Sequence, residues 1–483
     1  TVLLEVNIYG DGNIQITTAT DRLFIENTVM TSIGGGSSTP TISGAGTLDL
    51  LPGSDWIINI DPGMAVGLTL DLNGGRITNV ELLTLPGVVN ANQIDFIENG
   101  VITIPVTTTF NYFDPNNIQP ATGVINNGVF NIQNGLASMN LSTQDSSAFV
   151  NNGTFQVATG TTLSLLSDFR NNNVVNLPAG SALVSATGAT LFNDGSFSGA
   201  GELTVSGGSL DTTAATTLPA TMTLNMLDGS FINAQNLTVS GLFNWFDGSI
   251  NGTGPGFTTA GQVNLERGSL NTDWLITSSS SVDWIGSDVD ELVINNATIT
   301  NQGVFNVSSS LSSLASQLQL VEGLSLKSFA GSTNAGFVNQ GSLLVSGTDT
   351  VIFDLLFNND GGLIDIASGA SFSLGATALT LDQATDRLQG FGTFIGNVIN
   401  TAGVVTPGSS SPTAGGIGTL TVNGNYSQSA TGALVIKLDS TALGLLLNDV
   451  LDVSGQLGAG GLIDFRVIDL TKITQVASLI GQS

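Results

Sequence analysis

The sequence predicts an all-β protein: a parallel β-solenoid, a right-handed β-helix, with short caps at its two ends. Three observations carry that expectation. A motif made of an apolar pair, Asn-Asn-Gly and alternating apolar residues recurs along the chain, most clearly at Phe149-Val150-Asn151-Asn152-Gly153-Thr154-Phe155. The segments between motifs are short, apolar at alternate positions and bounded by Gly, Asn, Asp and Pro, the texture of strands and turns. Of the 483 residues 41% are hydrophobic and 10% charged, so a large core is available and small polar residues must form most of the surface.

Residues 1–30 read as an N-terminal cap or assembly segment. Residues 2–9 and 13–17 alternate like strands, and Asp11-Gly12-Asn13 between them reads as a hairpin turn. A hairpin there would cover the open end of a solenoid, whose unpaired backbone groups invite a neighbour. Residues 31–402 read as the solenoid itself. Its early strands are separated by Pro52-Gly53 and Pro62-Gly63, and the clear repeats follow. Their turn positions are Gly128, Gly153, Asn173, Gly195, Gly248, Gly303, Gly341 and Gly361. The first four are spaced by 25, 20 and 22 residues, while a longer interval, such as 38 between Gly303 and Gly341, reads as two coils with one copy missed. At these corners Gly and Asn would supply positive φ, and Asn side chains of successive coils would stack as amide ladders. Residues 309–321 and 378–388 are the candidate short helices.

Residues 403–483 read as C-terminal coils and a terminal strand. Pro407-Gly408 makes a turn. Gly418-Thr419-Leu420-Thr421-Val422-Asn423-Gly424-Asn425-Tyr426-Ser427-Gln428 follows, then an apolar strand, then Asp449-Val450-Leu451-Asp452-Val453-Ser454-Gly455. This order closely resembles the last coils of autotransporter passenger regions, with their G-x-L-x-V-x-G-x-Y-x-Q and D-x-L-x-V-x-G strands. The Asn-Asn-Gly repeats are similar to those of filamentous-haemagglutinin-like exported bacterial β-helix surface proteins. The resemblance covers most of residues 120–465. It implies a β-helix exported to the cell surface, and it implies no catalytic residue.

With 37 acidic against nine basic residues the net charge is −28, which disfavours nucleic acid and anionic membranes as partners. Cys and His are both absent, so disulfides, thiol nucleophiles and Ser-His-Asp catalysis are excluded. No run of apolar residues is long enough for a membrane-spanning helix, so no membrane insertion is expected.

Carboxylates are the chemistry that remains. Asp283, Asp288, Asp290 and Glu291 form the densest acidic cluster. Asp288 and Asp290, two apart on a strand, would face one side as Ca²⁺ ligands or a glycosidase pair, against the commoner reading of a solvated strand face. Asp11-Gly12-Asn13 and Gly361-Gly362 with Asp365 are fragments of calcium loops without the remaining ligands. The nine basic residues are scattered, so the pairing of Arg with carboxylates that a polysaccharide lyase needs is not visible. Trp245, Trp274, Trp284, Phe243 and Phe246 suggest an aromatic platform for sugars, although aromatics stacked inside a solenoid are commoner. Thr107-Thr108-Thr109 resembles a row of an ice-binding solenoid but does not recur at coil spacing.

The expected function is therefore non-catalytic, extracellular and structural, with no cofactor. The chain would be a rigid solenoid subunit of a surface fibre, filament, sheath or adhesin stalk, polymerising through strand pairing at residues 1–20 and 465–483. The alternative is a carbohydrate-binding adhesin or a polysaccharide-active enzyme on the same scaffold.

Overall fold

Three short strands joined by three corners make one coil of this chain. In the computed structural model each strand pairs in parallel with its counterpart one coil further on. The structure describes residues 149–467, apart from 166–167, 253–255, 287–290, 310–324, 329–333, 410–415 and 441–445. Before these it describes the strands between Val2 and Thr143, together with Asn127. Among the described residues there is no α-helix. The chain divides into two compact units, Thr1–Asn244 with Asn251–Gly254, and Trp245–Ile250 with Pro255–Ser483.

In the first unit a representative coil runs through Phe149–Asn151, Thr154–Val157 and Thr162–Leu165. The next runs through Phe169–Asn171, Val174–Leu177 and Ala182–Ser185. Equivalent residues stack in register, Phe149 on Phe169, Phe155 on Val175 and Leu163 on Leu183. Strict alternation in the sequence makes these strands, because it sends every second side chain to the same side. Phe155, Val157, Leu163 and Leu165 are accordingly buried. Aromatic rings form files along the core. Phe130 stacks on Phe155 and Phe149 on Phe169 (centroids 5.6 and 4.9 Å), and the two files meet edge to face at 4.9–5.4 Å.

The described strands of the first 30 residues do not pair as the expected hairpin. Val2–Leu4 pairs in parallel with Arg22–Ile25, Ile8–Gly10 with Val29–Ser32, and Asn13–Ile16 with Thr41–Gly44. They are the strands of an ordinary coil. Alternation fits a hairpin and a lateral ladder equally well, but the ladder places Leu23 directly on Leu48, and both are buried.

The ladder of second strands is interrupted where the others are not. In the first unit one ladder joins Asn13–Ile16 to Thr41–Gly44, a separate one runs from Leu82–Thr84 to Ser196–Gly199, and a third starts at Thr216–Leu218. In the second unit it runs to Leu356–Asn359 and restarts at Leu379–Leu381.

The second unit has the same construction, with Phe337 stacked on Phe357 and Phe353 edge-on to Phe372. Asn301 pairs directly with Asn339. The 38-residue interval is therefore one long coil, not two coils with a missed motif. Of the candidate helices, Ser309 ends the strand Val304–Ser309, and 310–321 lie outside the described residues. Residues 378–388 are not helical: they hold the strands Leu379–Leu381 and the start of Arg387–Gly390, with Leu379, Leu381 and Leu388 buried. The unit's last described strands are Ala433–Ser440, Leu446–Asn448, Val450–Val453, Leu457–Ala459 and Leu462–Val467. Leu446–Asn448 turns back on Ala433–Ser440 as an antiparallel hairpin before the coil resumes.

Candidate functional site

The recurrent motif proves to be a corner device. Its first Asn ends a strand and points inward. Asn126 Nδ2 donates to Asn151 Oδ1 (2.6 Å), Asn151 to Asn171 (2.7 Å) and Asn171 to Asn193 (2.7 Å). The file ends on the Thr216 hydroxyl. All four amides are buried, so each hydrogen bond satisfies groups that water cannot reach. A second file runs from Asn301 to Asn339 (2.9 Å) to Asn359 (2.7 Å) to the Asp386 carboxylate (3.2 Å). In both files the same Nδ2 also donates to a backbone carbonyl just past the next Asn, as Asn151 does to Val174 and Asn339 to Leu363. The second motif residue makes an outer file in solvent: Asn152 to Asn127, Asn172 to Asn152, and Gln302 to Gln340 to Asp360. These last bonds hold the Asp360 carboxyl below its ordinary value.

The two inner files occupy different corners. In the first unit the motif joins the first strand of a coil to the second, as between Phe149–Asn151 and Thr154–Val157. In the second unit it joins the second strand to the third, as between Gly336–Asn339 and Ser342–Gly347.

The glycines act mostly by close approach and not, as expected, by positive φ. A Cβ on Gly195 would sit 2.1 Å from the Asn173 carbonyl oxygen, on Gly303 2.2 Å from that of Ser280, and on Gly341 2.1 Å from that of Gly303. None of these three is left-handed, whereas Gly248 and Gly361 are, at φ 100° and 85°. Gly153 is buried, and its carbonyl accepts the Val174 N–H. Asn173 turns its amide outward to the Asn152 carbonyl. Gly128 lies outside the described residues.

The Tyr-x-Gln of the C-terminal strand extends the corner chemistry. Asn400 Nδ2 donates to the Tyr426 hydroxyl (3.4 Å), which donates to Gln428 Oε1 (2.7 Å). Gln428 Nε2 then donates to the Gly460 and Leu462 carbonyls. Burial pushes the Tyr426 phenol up to about 12.

Among the described residues, the sequence-predicted chemical residues do not come together. Asp288 and Asp290, the candidate Ca²⁺ ligands, lie outside the described residues, as do Asp11 and Gly12 and Thr107 and Thr108. Of their cluster, Asp283 accepts hydrogen bonds from Asn306 (2.6 Å) and Gln262 (3.2 Å). Glu291 pairs with Lys327 (2.5 Å), which the parallel register brings from the next coil. Asp365 accepts from Gln389 (2.7 Å). Among the described residues no three carboxylates converge as a metal site. The aromatic platform is not formed. Trp245, Trp274, Trp284 and Phe243 are core residues, and only Phe246 of that set is exposed. The buried ones occupy positions whose alternation points inward, as Phe243 and Trp245 do in Leu242–Trp245 and Trp274 in Trp274–Ile276.

One surface feature does gather chemistry. A groove of about 520 Å³ runs across the outer side of successive third strands at the end of the second unit. Arg387, Lys437 and Arg466 line it, with Asp464, Gln389 and Thr406. These cations are far apart in sequence, and coil stacking alone brings them into one place. Arg466 donates to Asp464 (2.7 Å), and Lys437 is buried against Asp449 (2.7 Å). Arg387 is exposed, and no described residue pairs with its guanidinium.

The last described coil forms a second surface. Ile463 and Phe465 stack on Leu434 and Ile436 in register, at positions that point to the core in earlier coils. Here they are exposed, Phe465 to 63%, as is Leu457 to 60%.

No protein-family model matches the chain, and no curated protein matches it.

Proposed function

We propose that the chain is a non-catalytic, extracellular structural protein: a rigid, right-handed solenoid subunit of a surface fibre, filament, sheath or adhesin stalk. The strong preference of parallel strand crossovers for the right hand supports that choice. In this reading a second copy continues the ladders at the chain ends. The observation that carries it is the exposed apolar set of Leu457, Ile463 and Phe465 on the last described coil. The partner surface is the first coil of another copy. Val2–Leu4 and Leu462–Val467 are both third strands, and each pairs with one neighbouring coil among the described residues. The resemblance to autotransporter passenger regions supports export to the cell surface.

Negative-stain imaging of the purified chain tests this reading. Wild type is expected to form filaments, and Phe465→Asp isolated particles, because the substitution places a charge in the joint. Isolated wild-type particles at every concentration would remove the proposal.

The groove favours a second reading, a carbohydrate-binding adhesin. Arg387 is a cation without a described partner in a protein of net charge −28. It suits the carboxylate of an acidic oligosaccharide. Binding of oligogalacturonate that disappears in Arg387→Ala, without cleavage of the sugar, would favour this reading over an enzyme.

A further inference from the structure

Lys437 and Asp449 are the buried ion pair of the second unit's terminal hairpin. Lys437 is 4% exposed and Asp449 2%, and Nζ lies 2.7 Å from Oδ2. Such a pair is a weak source of stability, because two ions leave water for one attraction. The surroundings are more specific than an ion pair requires. The Gly418 N–H donates to Asp449 Oδ1 (3.0 Å) and the Lys437 N–H to Oδ2 (2.8 Å), which fixes the carboxyl plane. Nζ also donates to the Pro407 carbonyl (2.8 Å), which fixes the amine. Asp439 is a second buried carboxyl, 4% exposed, two residues along the same strand and so on the same side as Lys437.

We propose that Lys437 and Asp449 join as an intramolecular amide, Nζ to Cγ. An ammonium and a carboxylate held in contact and away from water are oriented for condensation. Nζ passes one proton to Asp439 and attacks Cγ. The Cγ–Oδ2 bond breaks, and Oδ2 departs with two protons as water, one from Nζ and one returned by Asp439. The sum is ammonium plus carboxylate giving amide plus water, with no change of oxidation state and no co-reactant. Two of the three hydrogen bonds outlast the reaction: the product's carbonyl oxygen, the former Oδ1, keeps the Gly418 N–H, and its single N–H keeps the Pro407 carbonyl, while the Lys437 backbone N–H gives up Oδ2 as its acceptor. Two buried charges are replaced by one neutral amide, which removes the desolvation cost of the pair.

The bond would tie Ala433–Ser440 covalently to the segment that leads into Val450–Val453. The last coils could then not peel from the hairpin outward. The proposal does not depend on filament formation.

Mass spectrometry of the full chain tests it. The wild-type mass is expected to fall short of the sequence mass by one water. Trypsin cannot cut after an acylated lysine, so residues 388–466 should emerge as one peptide lacking one water. Lys437→Arg preserves charge but cannot form the amide, and should show its full mass. Asp439→Asn should slow or prevent closure, seen as a larger share of full-mass protein. A wild-type chain of full mass, cut normally after Lys437, overturns the proposal and leaves an ion pair. A missing water that persists in Lys437→Arg overturns it as well. If Lys437→Arg does not fold, the wild-type peptide map decides alone.

Discussion

At the residue scale, each corner position has its own reason for its side chain. Gly160 and Gly195 make the contrast testable. Gly160 has φ 77° and open space where a Cβ would stand, whereas Gly195 has ordinary φ and a neighbouring backbone oxygen 2.1 Å from that position. Gly160→Asn is therefore expected to cost less than about 1 kcal/mol, since Asn tolerates the left-handed region. Gly195→Ala should cost about 1–3 kcal/mol through overpacking. Chemical denaturation of the two variants checks this, and equal losses would contradict it. Asp386 is a second residue-scale case. Burial raises its carboxyl above the ordinary value, against the pull of the Gln383 and Gly361 N–H groups. A raised folded value means that the site's contribution to stability is complete below the unfolded value near 3.8 and is lost as pH rises through the folded value. The thermal midpoint of wild type relative to Asp386→Asn should thus rise as pH falls from neutral toward 4, and a flat difference would count against the assignment.

At the scale of the element, the amide files couple one coil to the next. Asn339 has partners on both sides, Asn301 before it and Asn359 after it. Asn301 starts its file: Ile276 occupies the equivalent place one coil earlier, and Asn301 Oδ1 has no donor. Asn339→Ala should therefore destabilise by about 2–3 kcal/mol, because it strands amide groups in two coils. Asn301→Ala should cost about 1 kcal/mol. Hydrogen exchange of the flanking strands would rank them, and a larger effect at Asn301 would refute the interior-rung account. The stacking of these amides was legible from Asn126, Asn151, Asn171 and Asn193, because a buried Asn at a strand end needs a partner and a repeat supplies one. The corner each file occupies was not legible. An Asn-x-Gly turn fits either corner, and strand lengths elsewhere in the coil decide which one it meets.

At the scale of the whole molecule, charge and coil stacking dominate. A net charge of −28 makes like molecules repel. If copies join end to end through Leu457, Ile463 and Phe465, added salt should lengthen the filaments, since screening weakens repulsion and leaves apolar contact intact. Shortening with salt, measured by light scattering, would point to an electrostatic joint instead. The gathering of Arg387, Lys437 and Arg466 also belongs to this scale. Each looked isolated in the sequence, because residues one coil apart are neighbours only after the strands stack.

The sequence by itself determined the local grammar of this protein: alternating strands, Gly and Asn corners, stacked Asn ladders and an aliphatic and aromatic core. Those features depend on side-chain period and turn chemistry, which are properties of a few adjacent residues. Only the tertiary structure decided that the strands between Val2 and Ile16 pair in parallel with the next coil and not as a hairpin, and that 301 and 339 are one coil apart. It also decided that three distant cations share a groove and that Lys437 lies sealed against Asp449. Parallel stacking sets these outcomes, because its register is chosen by contacts between residues 20 to 38 apart in the chain, which no local pattern encodes.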